Sequence, residues 1–243
     1  MGKIYVVGLG LGGIGNMTLR ARETLEKCKI IAGYRTSIDL LKPYLDNKKY
    51  ITMDTIQDSN LCDEILRIST EQHEEVCLVN SGDSGIYGIA GALLEKTAKY
   101  PKIEVEIIPG VTAMTAGAAI AGAPIMNDFA AISLGEILIP WKTIEKRIEC
   151  ACMGDFVINL YNPKNESMAT ELDKAVDIIM KYKGYTTPVA VVKNIGSEKE
   201  KCIICMLTEL KYQDVDSFTV IIIGNSKTYT LNGKMVTPIG QIF

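Results

Sequence analysis

The run Gly8-Leu9-Gly10-Leu11-Gly12-Gly13 follows directly on a β-branched stretch at residues 3–7, and this junction constrains the fold more than any other part of the chain. A short apolar run ending in glycine reads as a strand buried on both faces that feeds a loop at its carboxyl end. Runs of the same kind recur at residues 29–32, 76–80 and 105–108, and helical patterns separate them at 18–28, 59–71 and 88–99. Strand and helix alternate, so the first half is expected to be a doubly wound, mainly parallel sheet. Its carboxyl-end loops would be residues 8–16, 33–37, 80–88 and 109–112. In open α/β sheets such loops form the ligand crevice.

Gly and Ala dominate residues 113–123, and Pro124 ends any helix there. The domain junction is placed in this segment, giving an α/β domain at 1–122 and a second domain at 123–243. Apolar runs follow at 129–134, 155–160, 188–192, 202–207 and 219–223, with helical patterns at 142–152 and 167–182. The late strands lack intervening helices, which predicts an antiparallel portion and an α+β domain with a mixed sheet.

Taken alone, the first loop satisfies the G-x-G-x-x-G pattern of a dinucleotide site. A Rossmann fold also wants an acid at the tip of the second strand, and there the chain reads Ile31-Ala32-Gly33-Tyr34-Arg35. Arg35 would have to meet a 2′-phosphate instead. The first helix is expected to start near Thr18, capped by Asn16 or Thr18, too late to aim its amides at a pyrophosphate beside Gly10. An NADP-dependent oxidoreductase therefore stays open as a rival reading, as does a tight turn that holds no ligand.

Two further loops bear on the choice: Ser81-Gly82-Asp83-Ser84-Gly85-Ile86-Tyr87-Gly88 and Pro109-Gly110-Val111-Thr112-Ala113. With the first loop, and in this order, they resemble the tetrapyrrole methylases, a family of S-adenosylmethionine-dependent methyltransferases. The segments Gly122-Ala123-Pro124, Asp128-Phe129, Pro140-Trp141, Tyr161-Asn162-Pro163 and Thr187-Pro188-Val189 are similar to the branch that methylates carbon 17 of precorrin-3B or cobalt-factor III, with ring contraction, in cobalamin biosynthesis. The likeness runs from Lys3 to about Pro238. Leu11 and Ser84 stand where prolines are usual, Glu136 where an aspartate is, and Ile239 where an arginine is.

The resemblance implies S-adenosylmethionine held in a cleft between the domains by Leu11, Ser81, Gly82, Asp83, Ile86, Thr112 and Ala113, with Tyr161, Asn162 and Ala190 closing over it. The family reaction handles protons, and Asp83, Asp128 and Glu136 are the carboxylates that the motifs place for it. For Asp83 a turn-forming role is the competing reading, and for Thr112 a helix cap. A carboxylate-rich tetrapyrrole substrate should meet cations, for which Arg35, Lys142 and Lys193 are candidates, with Ser133 beside them. The resemblance further implies a homodimer. A module that binds a tetrapyrrole without acting on it remains the non-catalytic alternative.

Composition excludes several other classes. Twenty-six basic against 29 acidic side chains argue against nucleic acid as the main partner. No apolar run is long enough to cross a bilayer. Seven cysteines without an export signal favour reduced thiols in the cytoplasm. Cys202 and Cys205, three apart on a strand, face opposite sides and do not share a metal. No protein-bound metal is expected, and any cobalt would arrive inside the substrate. The sole histidine, His73, sits in a polar stretch and is read as a surface residue.

Overall fold

A computed structural model of the chain describes residues 2–11, 13–53, 60–135, 139–163 and 171–240. The chain divides into two compact units, Met1–Ala113 and Met114–Phe243, so the division falls at the start of the small-residue segment rather than at its end.

The first unit runs β1 (Lys3–Gly8), α1 (Leu19–Lys27), β2 (Ile30–Tyr34), α2 (Arg35–Leu41), β3 (Lys49–Met53), α3 (Asn60–Glu71), β4 (Val76–Asn80), α4 (Ala90–Thr97) and β5 (Glu104–Ile108). The strands form one sheet in the order β3-β2-β4-β1-β5, every pair parallel. Successive strand side chains point to opposite faces, and both faces here are apolar. Ile4, Val6, Ile30, Ala32, Val76 and Leu78 pack on Leu61, Ile65 and Leu66 of α3 and on Ala90 and Leu93 of α4. Val7, Ile31, Cys77 and Val79 pack on Ala21 and Leu25 of α1 and on Ile38 and Leu41 of α2. Each Val, Leu or Ile side chain among them, fully buried, contributes about 1.5–3 kcal/mol relative to exposure.

This arrangement positions the site. β1 and β4 are neighbours, with Gly8 opposite Asn80, yet the helix after β1 covers one face and the helix after β4 the other. Their carboxyl ends therefore diverge, which makes a topological switch point. The expected loop at 33–37 is corrected by the structure: Tyr34 ends β2 and Arg35 opens α2. That helix has only seven residues, too few for its buried Ile38 and Leu41 to show a period in the sequence.

The second unit contains α5 (Ala113–Ala121, belonging to it from Met114), β6 (Gly122–Ala123), β7 (Phe129–Ser133), α6 (Trp141–Met153), β8 (Val157–Tyr161), α7 (Glu171–Ile179), β9 (Pro188–Lys193), β10 (Lys201–Met206), β11 (Thr219–Ile223), β12 (Tyr229–Leu231) and β13 (Lys234–Val236). Its main sheet has the order β10-β9-β11-β8-β7, with only β7 and β8 parallel. One face carries the core, where Ile144 and Ile148 of α6 and Leu172, Val176 and Ile179 of α7 meet Ile158, Leu160, Val189, Val191, Ile221 and Ile223. α5 lies on the other face. A Cβ at Gly117 would stand 2.8 Å from the Val220 side chain, so only glycine permits this approach. A small sheet, β12-β13-β6, completes the unit.

Candidate active site

In the first unit the strand ladder continues beyond the strands themselves. Leu9 donates its N–H to the Asn80 carbonyl at 2.9 Å, and Gly10 and Gly82 exchange N–H···O bonds at 3.0 and 2.8 Å. Both glycines hold left-handed backbone, φ 67° and 69°, which costs glycine nothing. A third loop joins them. A Cβ at Gly110 would lie 2.2 Å from the Gly82 carbonyl oxygen and 2.6 Å from that of Gly8. The loops after β1, β4 and β5 thus touch backbone to backbone.

Asp83 fastens this assembly. Its Oδ1 accepts the N–H groups of Gly85 and Ile86 at 2.8 and 3.1 Å, and its Oδ2 accepts that of Gly110 at 3.0 Å. The turn-forming reading thus describes its contacts, extended across to the next loop. Asn80 and Ser84, both buried, add a second lock. Ser84 Oγ donates to Asn80 Oδ1 at 2.8 Å, while Asn80 Nδ2 donates to the carbonyls of Ser81 and Asp83 at 2.8 and 3.3 Å. Sequence reasoning missed this pair, because Asn80 read as a strand end and Ser84 only as a replaced proline.

The opposite side of the same loop has room at the Cβ position of Gly82, although Gly82 itself is buried. A Cβ at Gly82 would meet only Thr112 Cα, at 4.0 Å, so a ligand can approach this backbone closely. Ser81 is exposed, Leu11 is half-buried, and Thr112 is buried immediately ahead of Ala113, the first residue of α5. Leu11 is held through its carbonyl, which accepts Asn16 Nδ2 at 2.6 Å. As expected, α1 starts late: Thr18 caps it by accepting the Ala21 N–H at 3.2 Å, and a 3-10 turn at Ile14–Asn16 intervenes. Of its first-turn amides, that of Ala21 is satisfied by this cap.

In the second unit the carboxyl ends of β7 and β8 gather three of the expected residues. Ser133 stands opposite Tyr161. Ser133 Oγ accepts Asn162 Nδ2 at 3.0 Å and the Gly135 N–H at 3.3 Å. Tyr161 Oη accepts the Met114 N–H at 3.0 Å, which satisfies an otherwise open amide in the first turn of α5. Ala190 is fully buried on β9, in register with Ile222 of β11, which in turn faces Asn159 of β8.

Other expected residues lie apart. Asp128 is exposed ahead of the first residue of β7, so about five residues of strand, roughly 16 Å, separate it from Ser133. Lys142 is exposed in the first turn of α6, and Arg35 is exposed at the start of α2. Lys193 Nζ sits 2.8 Å from both Asp214 and Asp216, whose carboxylates hold its pKa above the usual lysine range. Glu136 lies outside the described residues. His73 is exposed. Among the described residues no group of three or more His, Cys, Asp or Glu side chains is placed to hold a metal.

The family described as Tetrapyrrole (Corrin/Porphyrin) Methylases matches residues 3–211. A relative from Salmonella typhimurium, named a probable cobalt-factor III C(17)-methyltransferase, is 39% identical over 98% of this chain and 98% of its own length. A cobalt-factor III methyltransferase from Priestia megaterium is 35% identical over 98% of this chain, which spans 45% of that longer protein. Among solved structures, the methyltransferase CobJ superposes with a TM-score of 0.91 at 28% identity, covering 98% of this chain and all of the other.

Proposed function

The chain belongs to the tetrapyrrole (corrin/porphyrin) methylases, and from that premise we propose that it moves a methyl group from S-adenosylmethionine to carbon 17 of cobalt-factor III or precorrin-3B, with ring contraction, in cobalamin biosynthesis. The observation that carries this reading is the end-to-end likeness to the Salmonella relative, at 39% identity over 98% of both chains.

S-adenosylmethionine supplies a methyl group already activated on a sulfonium. The protein's part is then to align donor and acceptor and to keep water out. The three interlocked loops suit that task. Gly82 leaves its open side for close backbone approach, while Asp83, Asn80 and Ser84 fix the loop from behind. Leu11, Ser81, Gly82, Ile86, Thr112 and Ala113 are proposed to hold the donor, and Tyr161, Asn162 and Ala190 are proposed as donor-binding residues as well. Asp83, whose carboxylate accepts three backbone N–H groups, acts by positioning these loops. Proton handling during ring contraction falls to Asp128 and Glu136. Arg35 and Lys142 are proposed to meet substrate carboxylates. Ser133 and Lys193 contribute through the structure around them, Ser133 by fixing Asn162 and Lys193 by its pairing with Asp214 and Asp216.

The same reading takes the enzyme to be a cytoplasmic homodimer. Its seven free cysteines suit a reducing compartment, and light scattering of the purified protein tests the dimer. The decisive assay offers purified protein, methyl-labelled S-adenosylmethionine and each macrocycle in turn, with mass spectrometry of the products. Gain of one labelled methyl and a contracted ring is expected. Tight NADPH binding without S-adenosylmethionine binding would end the proposal.

A further inference from the structure

Tyr87 is an outlier in three respects at once. Its backbone is left-handed, φ 53°, a region that bulky side chains rarely occupy. Its side chain is 52% exposed although it is a large aromatic. It also stands in the loop at the switch point, where a ligand is expected. Strain of this kind persists only where the surroundings impose it, and it clusters at ligand sites.

The surroundings do impose it. Upstream, Asp83 pins the N–H groups of Gly85 and Ile86. Downstream, the backbone at Gly88 packs so closely that a Cβ there would lie 2.4 Å from the Ser84 carbonyl oxygen. Ser84 also accepts the N–H of Ala90, the first residue of α4. Between these fixed points the chain turns outward and presents Ile86 and Tyr87 side by side, 39% and 52% exposed. Val111, on the adjoining loop and next to the Gly110 that Asp83 holds, is 38% exposed as well. Three exposed apolar side chains thus stand on two loops that Asp83 ties together.

Resting on the function proposed above, we infer that Tyr87 is a substrate-binding residue: its ring is the platform on which the face of the flat tetrapyrrole lies, with Val111 extending the apolar surface. A nucleoside-sized ligand is held by enclosure, as small-molecule sites usually are. The close backbone beside Gly82 suits that. A macrocycle is too broad to enclose and needs an open aromatic face, offset-stacked against its own π system. The 52% exposure of Tyr87 answers the second need.

The experiment uses the full chain with three variants, Tyr87→Phe, Tyr87→Asn and Tyr87→Leu. It reads macrocycle binding by absorbance titration, S-adenosylmethionine binding by calorimetry, and turnover. Asparagine tolerates left-handed backbone, so Tyr87→Asn removes the ring without adding strain and should keep the thermal midpoint. The expected result is that Tyr87→Asn and Tyr87→Leu weaken macrocycle binding and raise its KM by about tenfold. Their S-adenosylmethionine affinity stays within twofold of wild type, and Tyr87→Phe behaves as wild type. Unchanged macrocycle affinity in Tyr87→Asn, or an equal loss of S-adenosylmethionine affinity, would overturn the inference while leaving the proposed function intact. Wild-type protein that binds the macrocycle but transfers no methyl overturns the proposed function instead, and the binding titrations still decide the role of Tyr87. Wild-type protein that binds no macrocycle overturns both.

Discussion

Asp83 Oδ2 accepts the N–H of Gly110 at 3.0 Å across two loops that lie 27 residues apart in sequence. With the two bonds from Gly85 and Ile86 to Oδ1, one carboxylate sets the relative height of the loops after β4 and β5. Hydrogen bonds to a charged group are worth about 1.5–3 kcal/mol each, so the loops lose much of their preorganisation without it. Asp83→Ala is expected to weaken S-adenosylmethionine binding by tenfold or more and to lower the thermal midpoint by several degrees. Asp83→Asn, which keeps an acceptor for the turn, should lose less. Calorimetry and melting curves check both. A fall in kcat with unchanged cofactor affinity would instead assign Asp83 to proton transfer.

Two glycines in the same assembly should behave oppositely. Gly110→Ala drives a Cβ to within 2.2 Å of the Gly82 carbonyl oxygen, backbone against backbone, and neither loop can yield without breaking the bond to Asp83. That variant is expected to melt markedly lower and to bind no donor. Gly82→Ala meets nothing closer than 4.0 Å, so its cost is the left-handed backbone, roughly 1–2 kcal/mol. The added methyl instead fills the open side proposed for the ligand. A nearly native melting curve with strongly reduced S-adenosylmethionine affinity is the expected signature.

The bond from Asn162 Nδ2 to Ser133 Oγ ties the loop after β8 to the end of β7. Asn162 holds φ 50°, so Asn162→Gly keeps the backbone and removes only the side chain. We expect the Ser133→Ala and Asn162→Gly pair to show a coupling of about 1 kcal/mol in a double-mutant cycle on stability. Donor affinity should fall together in both single variants and no further in the double. Additive effects would mean that the two residues act separately.

The amino-acid pattern made the parallel sheet legible because its strands are buried on both faces and its helices alternate with them. β4, Val76–Asn80, lies where its unbroken apolar run ends in Asn80. The short helix α2, the strand β3 and the three-residue strands β12 and β13 left no period to read. Within the candidate site the glycines announced the loops, yet nothing in the order of residues joined Asp83 to Gly110 or Ser84 to Asn80. The first contact depends on the crossovers that set β1 between β4 and β5, and the second on the local turn that brings Ser84 back over Asn80. The cations were the least legible: Lys193 reads as an available charge until the fold brings Asp214 and Asp216 beside it.

An ion pair in the second unit, between buried Lys183 and half-exposed Asp155, makes stability depend on pH at both extremes. Lys183 Nζ donates to the Phe156 carbonyl at 2.9 Å and lies 3.6 Å from Asp155 Oδ1, with its side chain 3% exposed. Burial holds its pKa below the usual lysine range, against the opposing pull of Asp155. The charged form is therefore penalised by folding, and stability should rise as pH climbs through the folded pKa toward the unfolded value of about 10.4. For Asp155, burial is outweighed by hydrogen bonds from the Ser226 N–H and hydroxyl and by Lys183, so its pKa is depressed. Its contribution is complete above the unfolded value of about 3.9 and is lost as pH falls through the folded one. Urea titrations of wild type, Lys183→Met and Asp155→Asn across this range test both signs. The difference between wild type and Lys183→Met should move in favour of wild type above pH 9, and that between wild type and Asp155→Asn should shrink below pH 4. Since Asp155 also fixes the turn that carries Ser226, its variant is expected to be the less stable of the two at neutral pH, where the buried Lys183 loses its counter-charge.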